Sequence, residues 1–331
     1  MKKGLSKRAG KLLASLIALI MMAIIVIHHN PLADQHEENV KKIIACIIIV
    51  AAVAIFYRFY DRLVSLPMEL WQSRKLIWKL AKNDFKTRYA GSYLGRIWAF
   101  VQPVVTVVLY WFVFDYVMQA KKEFMSEGVD VPYLVWLMAG LVPWFYFSEA
   151  INNGMTSLLE YSYLVKKVVF KVSIIPIIKI IAASFTHLFF VCFLLVVYFG
   201  YGYSPSLYLL QLIYYSFCMF LFVLAISYST CAIVIFFRDL TQLVNIALQI
   251  GMWVTPILWN ITRFDNPTIQ SILKINPVFY IVNGYRSALF EHTWFWQDFY
   301  STMYFWIVTV VFFGIGALIF RRLKVHFADV L

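Results

Sequence analysis

Charge is what this sequence has least of. Asp, Glu, Lys and Arg make up 14% of its 331 residues, and hydrophobic residues make up 62%, where a soluble domain carries about 25% and about 45–50%. That balance excludes a fold surrounded by water. Cysteine is scarcer still. Cys46, Cys192, Cys218 and Cys231 all fall inside apolar stretches with no CxxC pairing, the pattern of small inert core side chains rather than of disulfides or a metal site. A phosphate-cradling loop is also missing. None of the thirteen glycines opens a GxxxxGK[ST] segment, and Gly91-Ser92-Tyr93-Leu94-Gly95 runs into Arg96 without the lysine. If ATP drives this chain, another polypeptide must bind it.

What remains is apolar length. No charged residue occurs in 97–114, 131–148, 180–237, 241–262 or 300–320, and a helix needs roughly 20 apolar residues to cross the hydrocarbon core. The third run is long enough for two spans, with Gly200, Gly202 and Pro205 marking the turn between them. The sequence predicts an all-α membrane protein of about eight transmembrane helices, at 12–27, 43–57, 97–118, 131–151, 173–199, 207–237, 242–261 and 300–320. A two-helix N-terminal extension over 1–66 precedes a membrane domain over 67–331. The first span is short and follows Lys2, Lys3, Lys7, Arg8 and Lys11, so it reads either as a span or as a cleaved signal peptide.

The net charge of +12 has a topological rather than a nucleic-acid reading. With the N-terminus in the cytoplasm, 21 of the 29 Lys and Arg residues fall on cytoplasmic segments and 7 on outer ones, as the positive-inside rule demands. Both termini are then cytoplasmic.

Two segments between spans are more than connectors. Over 68–90, Trp71, Ile77, Trp78, Ala81, Phe85 and Tyr89 share one helical arc while Lys75, Lys79, Lys82 and Lys86 share another. This predicts an interfacial helix with aromatics in the acyl boundary and lysines towards lipid phosphates, or an amphipathic helix packed on a partner. From 261 to 300, Phe279, Tyr280, Phe290, Trp294, Phe295 and Trp296 predict short outer re-entrant helices rather than a structureless loop.

Four stretches carry a resemblance. They are Asp84-Phe85-Lys86-Thr87-Arg88-Tyr89 followed by Ser92, Gly95, Trp98 and Pro103; Gly140-Leu141-Val142-Pro143-Trp144 followed by Ser157, Leu164, Lys166, Lys167 and Phe170; Phe237-Arg238-Asp239-Leu240 with Thr255-Pro256-Ile257; and Asn276-Pro277 with Tyr285-Arg286. In this order the chain, from about residue 75 onward, resembles the ABC-2 type permeases that export O-antigen, capsule and teichoic-acid polymers. The resemblance implies a six-span core, a homodimer, two copies of a separate ATPase subunit carrying ATP and Mg, and a lipid-linked glycan as substrate. It also implies that the loop holding Ser157, Leu164, Lys166, Lys167 and Phe170 docks into the ATPase. An exporter of drugs or simple lipids is the nearer alternative, and a membrane glycosyltransferase the more distant one. The latter needs acidic catalytic or metal-binding residues, and the acids on outer segments are scattered without a DxD-like pair.

Physical roles attach to several of these positions. Ser92 and Gly95 are expected to allow close helix approach where Trp98 anchors the first core span, with Trp78, Phe85 and Arg88 on the segment before it. Pro143 and Pro256 are expected to bend spans, and Arg238 and Asp239 to cap a membrane boundary. Of the ionisable residues near spans, Asp115, Glu149 and Lys179 fall close enough to span ends to reach water, and only His187 is central. Sugar rings lie well on aromatic faces, so Tyr110, Trp111, Phe114, Trp144, Tyr146 and Trp253 are candidate tunnel residues. No cofactor is expected on the chain itself.

Overall fold

The computed structural model describes residues 7–27, 35–88, 95–117, 119, 123–124, 130–166, 171–263 and 266–331. It divides into two units, Met1–Met68 and Glu69–Leu331. The first holds α1 (Lys7–Ile27) and most of α2 (Gln35–Gln72), a helix that contains the predicted second span. These two helices meet through Tyr57, whose hydroxyl donates to the Lys11 carbonyl at 3.2 Å and lies 2.6 Å from Ser15 Oγ. The Lys11 ammonium sits 4.9 Å from the same ring's centroid. Their other faces are apolar and exposed, as at Leu12 and Ile47, which suits a lipid surround.

The second unit is almost wholly helical. It comprises α3 (Arg74–Thr87), α4 (Trp98–Trp111, extended by a π-helical turn, Phe112–Val117), α5 (Tyr133–Glu160), α6 (Ser162–Val165), α7 (Ile175–Gly200), α8 (Gln211–Val234), α9 (Leu240–Val254), α10 (Pro267–Lys274), α11 (Pro277–Arg286), α12 (Phe299–Leu323) and α13 (Phe327–Val330). One departure is a minimal antiparallel pair, Glu123–Phe124 with Asp130–Val131, between α4 and α5. Among the described residues five helical stretches are long and apolar enough to cross a bilayer, namely Arg8–Ile27, Tyr133–Glu160, Val172–Gly200, Leu207–Val234 and Phe299–Val330. Trp98–Phe114 and Leu240–Val254 are apolar but shorter. This is an all-α membrane architecture.

The core is built where α5, α7, α8 and α12 meet, with α11 against α5 and α8. Trp136, Leu141 and Met155 of α5, Phe190 of α7, Tyr228 of α8, Phe305 of α12 and Tyr285 of α11 are all sealed inside it. Cys218 and Cys231 are buried there as free thiols. Helix starts follow local chemistry. Asn266 and Asn276 each accept a hydrogen bond from the backbone N–H two residues on, and Pro267 and Pro277 occupy the first helical turn, where a missing N–H costs nothing.

Three sequence expectations change. Pro256 does not bend a span. It ends one, because the residue before a proline is driven out of the helical region, and Thr255 is extended at φ −70, ψ 131 just after α9 stops. Gly95 has nothing within contact distance of an added Cβ and lies at φ +52, so it serves a left-handed turn rather than close helix approach. Ser157 is not in a loop: α5 runs on to Glu160, and Ser157 is fully buried with its hydroxyl donating to the Gly154 carbonyl at 2.6 Å.

The break at Pro256 exposes carbonyls that a helix would have used, and a buried cation takes them. Arg286 donates to the carbonyls of Pro256 at 2.6 Å and Ile257 at 2.8 Å, and its guanidinium lies 3.4 Å from the centroid of the Trp136 ring. Asn276 Nδ2 donates to Thr255 Oγ1 at 2.7 Å and Tyr133 to the Leu258 carbonyl at 2.8 Å. Thr255, Pro256, Asn276 and Arg286 thus form one cluster that ties the segment after α9 and α11 to α5, with Pro277 in the first turn of α11. Replacing Arg286 with Met should destabilise the fold by about 2–5 kcal/mol, since two carbonyls lose charged donors in a water-poor site. A thermal unfolding midpoint of the detergent-purified variant equal to that of the unaltered chain would contradict this.

Candidate functional site, a cleft with a charged end

A cleft of about 540 Å³ runs between α4, α5, α7 and α9. Trp98, Tyr110, Trp144 and Tyr146 line its length, with Arg88, Glu149, Asn152 and Asn153 gathered at one end. The walls have a simple origin. Pro143 sits inside α5 and cannot complete its ladder, and the residues that follow it, Trp144 and Tyr146, are held in place by neighbours. Tyr146 stacks on His187 with ring centroids 4.4 Å apart, and its hydroxyl lies 2.8 Å from Ser184 Oγ. His187 Nε2 lies 3.0 Å from Ser216 Oγ and 3.1 Å from the Tyr285 hydroxyl. The central histidine is therefore tied into a hydroxyl network rather than standing in a chain of carboxylates.

The other aromatic candidates fall differently. Phe114 packs between Tyr110 and Tyr133 at centroid distances of 6.1 and 5.6 Å. Trp111 on α4 and Trp253 on α9 do not line the cleft and are exposed. All of α9 is unburied, with Leu243, Ile246 and Ile250 exposed along it. Arg238 and Asp239 stand exposed at the turn before α9, and no ion pair joins either to α3 among the described residues.

At the charged end lies a network that the sequence did not announce. Lys179 of α7 is buried, and its ammonium reaches Asp84 Oδ1 of α3 at 2.8 Å and Glu160 Oε2 of α5 at 2.6 Å. Arg88 pairs with Glu149 of α5 and lies 3.7 Å from Asp84 Oδ2. Tyr161, which follows α5, donates its hydroxyl to Asp84 Oδ1 at 2.7 Å. Burial, and then that hydrogen bond, push the Tyr161 hydroxyl well above its usual ionisation range, so it remains a donor at neutral pH. A cation from α7, the arginine that ends α3 and the tyrosine that follows α5 converge on one carboxylate.

This explains how α3 sits. Its buried face is Ile77, Ala81 and Asp84, with the two apolar residues packed on Ile174 and Ile178 at the start of α7. Trp78 and Phe85 both flank the Phe185 ring at 5.5 Å. The helix is held by a partner helix, while Lys75, Lys79, Lys82 and Lys86 stay exposed and Trp78 stays half-exposed. A break at Ser73 separates α3 from α2, so the amphipathic element is shorter than the predicted 68–90. Ser92, Lys167 and Phe170 lie outside the described residues. Beyond α5, Tyr163 and Lys166 are exposed and Leu164 is half-buried.

Spacing alone could have hinted at Asp84 and Arg88, an i,i+4 pair on an amphipathic helix. Lys179 gave no such signal, because its partners are remote in sequence. Removing it should leave Asp84 buried without its nearest cation, so Lys179→Met is expected to cost about 3–5 kcal/mol, with Asp84→Asn in the same background recovering part of the loss. A double-mutant cycle on thermal stability tests this, and strictly additive losses would show that the two groups do not interact.

Known proteins are similar to this chain in sequence. Residues 75–290 match the family described as ABC-2 type transporter, beginning in α3 and ending just past α11. The O-antigen export system permease protein RfbA of Myxococcus xanthus is 26% identical over 268 residues, covering 81% of this chain and 99% of the relative. Two proteins of the same description from Klebsiella pneumoniae are 31% and 29% identical, each over 258 residues, 76% of this chain and 93% of the relative.

Proposed function

Because the chain belongs to the ABC-2 type transporter family, we propose that it is the permease of an ATP-driven exporter passing a lipid-linked surface polysaccharide, of the O-antigen or teichoic-acid kind, outward across the bacterial plasma membrane. The O-antigen permeases among its relatives support the substrate class. The observation that carries the reading is the cleft. Its aromatic walls suit the apolar C–H faces of pyranose rings, and its charged end at Arg88 and Asn152 suits the polar head of a lipid carrier. Such contacts let a polymer slide without one tight site.

The pathway is completed by a second copy. A single chain leaves the cleft open, and the unburied, apolar face of α9 with exposed Val105, Val108 and Leu109 of α4 suits a two-fold partner. Energy comes from two copies of a separate ATPase, as the missing phosphate loop requires. That subunit docks near the exposed Tyr163 and Lys166. Motion there reaches α3 through Tyr161 and Asp84, and reaches the cleft through Arg88 and Glu149. The lysine-rich side of α3 faces lipid phosphates of the inner leaflet, and both termini are cytoplasmic, following the bias in Lys and Arg.

Three outcomes test this reading. The purified permease should hydrolyse no ATP alone, and a Tyr163→Cys variant in a cysteine-free background should be labelled from the cytoplasmic side only, less so once the ATPase is bound. Labelling from outside intact cells would reverse the topology. Trp144→Ala with Tyr110→Ala should reduce polymer export at least tenfold in a quantitative surface-glycan assay while the complex still assembles. Unchanged export would remove the cleft from the pathway.

A further inference from the structure

A second cavity, of about 270 Å³, lies at the opposite end of the core from Arg88, framed by α11, the segment 292–298 and the first turns of α12. Its construction is specific. Gln211, buried at the start of α8, donates to the Thr293 carbonyl at 2.8 Å and accepts from the Phe295 N–H at 2.7 Å, so both ends of its side-chain amide are spent on holding 293–295 in place. His292 takes a left-handed conformation, φ 54, that turns the chain into this segment. Trp294 then stacks on Trp296 with centroids 4.6 Å apart, and Phe295 on Tyr214 at 4.0 Å. The floor is Tyr215, which reaches its place only because residue 284 is glycine: a Cβ there would collide with the ring.

The lining is equally selective. Trp294, Tyr280 and Tyr304 give aromatic surface, while Asn283, Asp298 and Ser301 give polar groups. Among the described residues, the side chains of Asn283, Asp298 and Ser301 make no hydrogen bond or ion pair within the chain. Two neighbouring hydroxyls are consumed internally. Tyr280 bonds Thr302 at 2.9 Å, and Tyr304 donates to the Ile275 carbonyl at 2.6 Å. An amide, a carboxylate and a hydroxyl left unspent around aromatic faces are the groups that bind ring hydroxyls and ring C–H faces respectively.

We propose that this cavity binds one pyranose unit of the exported polysaccharide on the outer side of the membrane. The proposal rests on the export reading and on its topology. The volume falls near the lower end of small-molecule sites, about 300–1,000 Å³, which suits a single sugar ring. The charge is balanced, one lysine, Lys274, against one aspartate, Asp298, so the site offers no cationic field for a phosphate headgroup. A weak outer site of this kind holds the emerging chain between strokes and opposes its return.

The test uses the full-length permease with its ATPase in lipid nanodiscs, labelled with 5-fluorotryptophan, the Trp294 fluorine resonance being assigned from Trp294→Phe. The probes are the delipidated surface polysaccharide of the host cell and the monosaccharides from its hydrolysis. Both should shift the Trp294 resonance, at millimolar concentration for the monosaccharides, and Asn283→Ala and Asp298→Asn should each weaken the effect about tenfold. No shift with either probe, or equal affinity in both variants, overturns the proposal. So does a shift produced by glycerophosphoethanolamine and not by sugars, which would assign the cavity to lipid. Surface-glycan export is scored in parallel with the unaltered chain: export without a Trp294 response refutes the sugar site alone, and absence of export refutes the exporter reading itself.

Discussion

The carboxylate of Asp84 is the point on which the membrane domain's charged end depends. It is buried at the junction of α3, α5 and α7, where it receives Lys179 and Tyr161 and lies beside Arg88. A charge taken out of water is tolerated only where the opposite charge and further donors are already in place. That requirement fixes several things together. It holds α3 against the start of α7, sets the C-terminal turn of α5 through Glu160, and places Arg88 where it can pair with Glu149 at the end of the cleft. Displacing any one of these elements strands a charge, so they move together or not at all.

Arg286 does the same work at the other end of the core by a different means. Its donors go to backbone carbonyls freed where Pro256 stops α9, and its face lies on Trp136. Backbone carbonyls left outside a helix in a water-poor setting must be satisfied, and a single arginine satisfies two. The result is a junction from which α11 returns into the core, and the small aromatic cavity beside Gly284 and Tyr215 is built against that helix.

Between the two buried cations the chain leaves a graded passage. One end is polar and ion-paired, the middle is lined by Tyr146 and Trp144, and the hydroxyl network of His187, Ser216 and Tyr285 stiffens the wall behind it. An amphipathic substrate with a charged head and a train of sugar rings matches that gradient. The rigidity of the wall and the coupling of α3 to Tyr161 together favour motion of whole helices over local rearrangement.

The sequence by itself determined the solvent, the helical class and the family. These are properties of composition and period: charge-free stretches and the order of four short motifs are all local, and local signals survive without a fold. Of the six aromatics it offered for a tunnel, Tyr110, Trp144 and Tyr146 line the cleft, whereas Trp111, Phe114 and Trp253 do not. What it could not fix were contacts between distant residues. Lys179 looked like a residue at a span end because nothing nearby in the sequence pairs with it, whereas its partners at positions 84 and 160 arrive only when α3 and α5 fold onto α7. The resemblance places Ser157 in a loop, after a span predicted to stop at 151, yet α5 runs on to Glu160 and packs Ser157 inside. Pro256 looked like a bend until Arg286 and Asn276 supplied bonds that let α9 end there instead. In each case tertiary structure decided, because a buried polar group takes its role from the partner that compensates it, and that partner is chosen in space rather than along the chain.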